Sequence, residues 1–437
     1  MTTTASPDAA THAAALNLDG KTIDLPVTVG SEGEHAVDIT KLRAQTGYIT
    51  LDPGYRNTGS VESAITFIDG EKGILRHRGY AIEDVADHCS FIETAWLLIY
   101  GELPTADELA AWDAEIRDQF RMHEAMRHHF NGFAGGGHPM AILSALINAA
   151  SCYYPNAMAV TGEGDAFRES AARLIAKTAV IAAASYKVSV GERIEYPRPD
   201  LDYCGNFLHM MFRRPHDEYH PDPDAVHALN VLFNLHADHE QNCSTSTVRM
   251  VGSSGANLFA SCSAGVCALW GPLHGGANVA VVDQLQRIHE DPSLTVAKYV
   301  EQVKNKEALL FGFGHAVYRN FDPRANVLKK YAAKILDKLE VADPMLDIAR
   351  ELEAAALDDP YFAERKLYPN VDFYSGIILR ALRIPTNMFT VMFAIGRMPG
   401  WIAQWKEVRD QGSRIYRPRQ VYTGPTHREF TPLKQRG

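Results

Sequence analysis

Met250-Val-Gly-Ser-Ser-Gly-Ala-Asn-Leu-Phe-Ala-Ser-Cys-Ser-Ala-Gly-Val-Cys-Ala-Leu-Trp-Gly-Pro-Leu-His-Gly-Gly-Ala-Asn278, running on to Val282, contains no Lys, Arg, Asp or Glu. Its length alone would allow a membrane span. Gly252, Ser253, Ser254, Gly255, Asn257, Ser261, Ser263, Gly265, Gly271 and Pro272 interrupt the apolar content, which argues against that reading. A helix that is neutral all round and lined with small residues is expected inside a large helical core, closely packed on its neighbours. Its C-terminal end then delivers His274 to the interior.

The surrounding pattern is helical too. Ser90-Phe-Ile-Glu93 is a capping box opening a helix over 94–100, which Gly101 closes and Pro104 follows; Thr105-Ala-Asp-Glu108 caps the next. Alanine-rich segments follow at 140–152, 169–186, 224–239, 258–270, 279–289, 344–356 and 373–382. Strands are expected near the start, at 21–29 and 60–68, with Asp69-Gly70 as a turn before 73–78. Neither a repeat nor the strand–helix alternation of a parallel sheet is evident. The expected fold class is mainly α with a small β-rich N-terminal region, and 437 residues commonly divide into two or more domains.

A formal charge of −10 argues against a nucleic-acid surface or an anionic membrane as partner. Small anions remain possible through local arginines. Cys89, Cys152, Cys204, Cys243, Cys262 and Cys267 form no Cys-x-x-Cys pair and read as reduced thiols. Residues 1–16 lack the basic start and apolar run of a signal peptide, so a frayed tail and a cytoplasmic location are expected.

Three stretches place one ionisable side chain among glycines or aromatics: His274 in Gly271-Pro-Leu-His-Gly-Gly, His315 in Gly312-Phe-Gly-His, and Asp372 in Asn370-Val-Asp-Phe-Tyr. Glycine lets a substrate approach an imidazole closely. Each histidine could equally be a satisfied core residue. His315 is followed by Arg319 and Arg324, and a buried imidazole near guanidinium groups favours its neutral, hydrogen-bond-donating form. Asp372 suits either a base whose pKa is raised by desolvation or the N-cap of the helix it precedes. His236 and His239 stand one helical turn apart, a spacing open to a metal, to a hydrogen-bonded core or to substrate binding. Arg324, Arg397 and Arg417 could together grip a di- or tricarboxylate, although a lone arginine is usually solvated.

The ordered segments Gly271-Pro-Leu-His-Gly-Gly-Ala-Asn278, Gly312-Phe-Gly-His-Ala-Val-Tyr318, Asp322-Pro-Arg-Ala325 and Tyr368-Pro-Asn-Val-Asp-Phe-Tyr-Ser-Gly376 resemble the signature segments of the citrate synthase family. The resemblance extends through Phe67-Ile-Asp-Gly70, His236-Ala-Asp-His-Glu-Gln-Asn242 and Gly396-Arg-Met-Pro-Gly-Trp-Ile-Ala403, covering the chain from about residue 48 to its end and including the β-rich start typical of the bacterial enzymes.

That resemblance implies an enzyme that joins acetyl-CoA to oxaloacetate and hydrolyses citryl-CoA. Asp372 becomes the base, His274 the donor to the thioester oxygen and His315 the donor to the ketone. His239, Arg324, Arg397 and Arg417 become oxaloacetate ligands, with Arg417 reaching into a partner subunit, so that at least a dimer is implied. Arg319 and Lys366 are candidates for CoA phosphates. No metal or cofactor is implied. The architecture implied has an N-terminal extension (1–47), a large helical domain (48–278 with 390–437) and a small domain (279–389) that closes over the substrates. Gly275, Gly276, Gly312 and Gly314 are candidate flexible points. A 2-methylcitrate synthase using propionyl-CoA is the nearest alternative; a metal-dependent hydrolase and a noncatalytic binder of CoA or citrate are more distant ones.

Overall fold

A computed structural model describes residues 13–156, 161–216, 218–338, 343–412 and 414–436. The expected N-terminal tail lies largely outside them, at 1–12. The chain forms two compact units, residues 1–62 with 417–437, and residues 63–416.

In the first unit the strands Ala13–Leu18, Lys21–Val29 and His35–Val37 make an antiparallel sheet. Leu18 pairs with Lys21 across Asp19-Gly20, both at positive φ (51° and 77°), the conformation that matches strand twist in a two-residue hairpin.

The second unit is mainly α. Among the described residues its one sheet joins Thr66–Asp69, Ile74–His77 and Tyr80–Ala81, shorter than the expected 60–68 and 73–78. Both capping boxes form as expected, at Ser90/Glu93 and Thr105/Glu108, and Gly101 ends the Phe91–Tyr100 helix at φ 99°.

The neutral run is not one helix. It comprises the end of Cys243–Ser253, the helix Leu258–Leu269 and the start of Ala277–Glu290. Its small residues have a packing reason: a Cβ on Gly265 would stand 2.6 Å from Val248 and 3.2 Å from the Trp401 ring, and one on Gly252 2.9 Å from Trp405. Trp401 and Trp405 are fully buried on the Phe389–Asp410 helix, so this face of the core joins large aromatics to small partners. An added methyl would overpack the contact, at a typical cost of about 1–3 kcal/mol.

The Phe389–Asp410 helix passes straight through Pro399. Proline normally breaks a helix by removing a donor. Here the next N–H, that of Gly400, donates to Ala237 O at 3.1 Å, and a Cβ on Gly400 would lie 2.2 Å from that oxygen. The glycine thus allows a close approach of this helix to the His236–Asp238 segment.

No described helix is long and apolar enough to cross a membrane. All six cysteines are free, with Cys204 and Cys262 buried.

Candidate active site

Two loops are laced together beside the start of the Val371–Ala381 helix. Gly314 N–H donates to Tyr368 O (2.8 Å), Asn370 N–H to Gly312 O (2.9 Å), and the Asn370 side chain to Gly314 O (2.8 Å). Gly312 and Gly314 sit at φ 80° and 75°, where a side chain is strained, and a Cβ on Gly312 would also strike Val281 and Phe373. These glycines therefore shape a fixed path. Gly275 is likewise a close-packing position, since its Cβ would lie 2.4 Å from Leu269 O.

Asn370 is the N-cap of this helix, its Oδ1 accepting from Asp372 N–H at 3.0 Å. The N-cap role thus falls to Asn370 and not to Asp372. Burial raises the Asp372 pKa to about 6, against the pull of Arg324, with Asp322 adding to the rise and Arg397 opposing it.

Asp322 ties Arg324 to the Asp372 helix. Its carboxylate accepts from Arg324 Nε (3.0 Å), Nη2 (2.8 Å) and main-chain N–H (3.0 Å), and also from Val371 N–H (3.1 Å). One buried carboxylate thus starts the Pro323–Lys338 helix, holds a guanidinium by two bonds and anchors the residue before Asp372.

His315 is half-buried. Its Nδ1 accepts from the main-chain N–H of Val317 (3.0 Å) and Tyr318 (3.4 Å), which places the proton on Nε2. Burial and Arg324 lower its pKa to about 4, with Asp322 opposing, so the ring is neutral near pH 7. His239 is buried beside it, the ring centres 5.2 Å apart, and shares a 3.2 Å hydrogen bond with the Tyr318 hydroxyl. Burial, Arg324 and His315 hold His239 neutral as well.

His274 follows the Leu258–Leu269 helix in a turn rather than ending it. Its Nε2 faces the main-chain N–H of Ser244 (3.3 Å) and the Ser244 hydroxyl (2.9 Å). A main-chain N–H can only donate, so the His274 proton sits on Nδ1. Burial, reinforced by Arg397, lowers its pKa to about 4.

Arg397 is buried on the Phe389–Asp410 helix, with Nε donating to His236 O at 2.6 Å and its guanidinium carbon 5.0 Å from the Phe393 ring centre. The same ring lies 6.3 Å from that of His274. Burial lowers the Arg397 pKa to about 10, against the pull of Asp238, so the group stays charged. Its Nη1 is buried with no hydrogen-bond partner among the described residues.

His236 and His239 do not share a helical turn, because the Pro223–His236 helix ends between them. His236 Nδ1 donates to Leu232 O at 2.7 Å, while His239 turns toward Tyr318. Among the described residues no three His, Cys, Asp or Glu side chains gather as a metal site would need. Arg319 and Lys366 are exposed and meet the Asp69-Gly70-Glu71 turn: Arg319 N–H donates to Gly70 O (2.8 Å), and Lys366 pairs with Glu71 (3.2 Å). Arg417 is exposed and belongs to the other unit, so it is not among the residues assembled within 63–416.

The family model described as "Citrate synthase, C-terminal domain" matches residues 54–419. The chain belongs to the citrate synthase family. It is accordingly an enzyme of the citrate (Si)-synthase type. It is 52% identical to citrate synthase 1 of Mycobacterium tuberculosis over 426 residues, 97% of this chain and 98% of that one. Among solved structures, the citrate synthase of Pyrobaculum aerophilum is similar at a TM-score of 0.80 and 36% identity, covering 90% of this chain and 98% of its own. A Thermoplasma acidophilum citrate synthase, solved as a ternary complex with carboxymethyl coenzyme A and oxaloacetate, gives 0.81 and 29%, covering 89% and 100%.

Sequence reasoning did not single out Ser244, Tyr318, Asp322, Asn370 or Phe393 in this citrate synthase site. Asp322 and Asn370 lay inside quoted motifs, where an Asp or Asn just ahead of a helix start was the available signal. Ser244 and Phe393 carried none.

Proposed function

We propose that the chain condenses acetyl-CoA with oxaloacetate and hydrolyses the resulting citryl-CoA to citrate and CoA. Asp372 removes a proton from the acetyl methyl group while His274 Nδ1–H hydrogen-bonds the thioester oxygen, where charge develops. The carbon so activated attacks the oxaloacetate ketone, which is polarised by His315 Nε2–H; that proton passes to the new alkoxide and is returned to His315 from the water that next cleaves the thioester, while the proton held by Asp372 goes to the departing CoA thiolate. Arg324, Arg397 and His239 hold the oxaloacetate carboxylates. Water then cleaves the thioester and releases CoA. The reaction so written needs no metal or organic cofactor.

The observation that carries this reading is a carboxyl whose pKa is raised to about 6, set among neutral imidazole donors and two buried guanidinium groups. Such a set suits proton removal from a weak carbon acid next to a dicarboxylate. The ligands of the Thermoplasma acidophilum complex support the same substrate pair.

The proposal extends to a cytoplasmic homo-oligomer in which Arg417 of one copy completes the site of another, to CoA phosphates meeting Arg319 and Lys366, and to closure of 279–389 over the rest. Closure would bring the groups together and exclude water until citryl-CoA forms. X-ray scattering with and without oxaloacetate tests it, and an unchanged curve counts against closure.

The deciding experiment follows thiol release from acetyl-CoA and from propionyl-CoA with oxaloacetate, with the product identified by mass. Turnover of acetyl-CoA to citrate is expected. A one-carbon difference is worth only about 1–3 kcal/mol in a pocket, so both acyl-CoAs must be compared side by side. Preference for propionyl-CoA would move the assignment to 2-methylcitrate; no thiol release would overturn it.

A further inference from the structure

Tyr318 touches three of the groups assigned above to oxaloacetate and is itself given no part in the chemistry. It is 2% exposed. Its hydroxyl is the one hydrogen-bond partner of the His239 ring among the described residues, at 3.2 Å. Its ring centre lies 4.8 Å from that of His315, 5.6 Å from that of His239, and 6.0 Å from the Arg324 guanidinium carbon. Its main-chain N–H is one of the two that face His315 Nδ1.

The segment that carries it has little room to shift. Gly70 packs so closely on Val317 that a Cβ would stand 2.2 Å from Val317 O, and Gly73 meets Phe321 O in the same way at 2.6 Å. The Thr66–Asp69 and Ile74–His77 hairpin thus presses on residues 317–321 from outside, and Tyr318 transmits that fixed position to the rings and the guanidinium inside. Without the phenol hydroxyl, the imidazole of His239 would keep its burial but lose the bond that sets its rotation. Its ring nitrogens could then no longer be presented to a carboxylate in one orientation.

We propose that Tyr318 is a positioning residue for the dicarboxylate half of the site, its hydroxyl orienting His239 and its ring holding His315 and Arg324 in register. The proposal rests on the oxaloacetate reading of the site. It assigns no proton transfer to Tyr318.

The test is Tyr318→Phe beside Tyr318→Leu. For Tyr318→Phe, KM and the calorimetric Kd for oxaloacetate should rise about tenfold, the scale of one hydrogen bond. Its kcat should stay within about threefold, and KM for acetyl-CoA and the melting temperature should not move. Tyr318→Leu also removes the ring and should lower kcat as well, through His315; Phe should restore kcat but not oxaloacetate affinity. In spectra of 15N-histidine-labelled protein, the His239 signals should shift in Tyr318→Phe and those of His274 should not.

An unchanged oxaloacetate Kd in Tyr318→Phe overturns the proposal. So does an equal loss in both substrates' KM accompanied by a lower melting temperature, which is what a purely structural role would give. Should the wild-type protein bind oxaloacetate yet release no thiol from acetyl-CoA, the functional reading fails while the binding and 15N comparisons still decide Tyr318.

Discussion

The loops 271–276 and 311–318 each present a neutral histidine, but they set its proton from different distances. His315 is governed by its own loop, through the N–H groups of Val317 and Tyr318, and donates from Nε2. His274 is governed by Ser244, at the start of a helix thirty residues earlier in the chain, and donates from Nδ1. Both rings sit near a pKa of about 4 because both are buried near an arginine, Arg397 for His274 and Arg324 for His315. Equal charge states thus coexist with opposite tautomers, and the tautomer follows from which nitrogen the main chain happens to face.

The largest expected effect removes what the two loops serve. Asp372→Asn should lower kcat by about 10³-fold or more, the upper range for loss of a general base, while oxaloacetate Kd by calorimetry stays within a few-fold. Near-normal turnover would make the histidine comparison irrelevant to this reaction.

His274→Ala and His315→Ala should each lower kcat about 10²–10³-fold, the scale for removing one donor at a developing charge. They should separate in KM. His315→Ala should raise KM for oxaloacetate, because His315 stands against His239 and Tyr318; His274→Ala should leave it near wild type. Identical changes in both constants would erase the distinction between the loops.

A pH profile probes the shared feature. Asp372 acts as a base only when ionised, so kcat/KM should be flat above about pH 7 on the acid side and fall tenfold per unit as pH drops below about 6. Both histidines, held at about 4, stay neutral through that window. A slope of two between pH 4.5 and 6 would show that one of them gains a proton there.

The smallest effect sharpens the comparison most. Ser244→Ala deletes the hydroxyl at 2.9 Å from His274 but keeps the main-chain N–H at 3.3 Å. If the N–H sets the tautomer, kcat should fall less than about tenfold. A loss as large as that of His274→Ala would transfer the role to the hydroxyl.

Much of the site was legible because its parts announce themselves locally. Glycines at 312 and 314, buried-looking histidines and an aspartate at a helix start were visible in short windows. The remainder depended on contacts across the fold. Asp372 was a candidate N-cap on paper, and the geometry gives that role to Asn370. His236 and His239 look like one helical face, yet the helix ends between them. Pro399 lies inside the Phe389–Asp410 helix, and the neighbouring Gly400 N–H reaches Ala237 O, a contact no short window shows.

The sequence by itself determined the mainly α class, the two capping boxes, the family and the identity of the ionisable groups, since capping and glycine preference are set by residues a few positions apart. The tertiary structure decided which nitrogen of each histidine donates, that Asp322 binds Arg324 to the start of the Asp372 helix, and that Tyr318 stands between His239 and His315. The His315 proton is set within its own loop; the other outcomes depend on hydrogen bonds and packing between segments tens of residues apart, which no local pattern encodes.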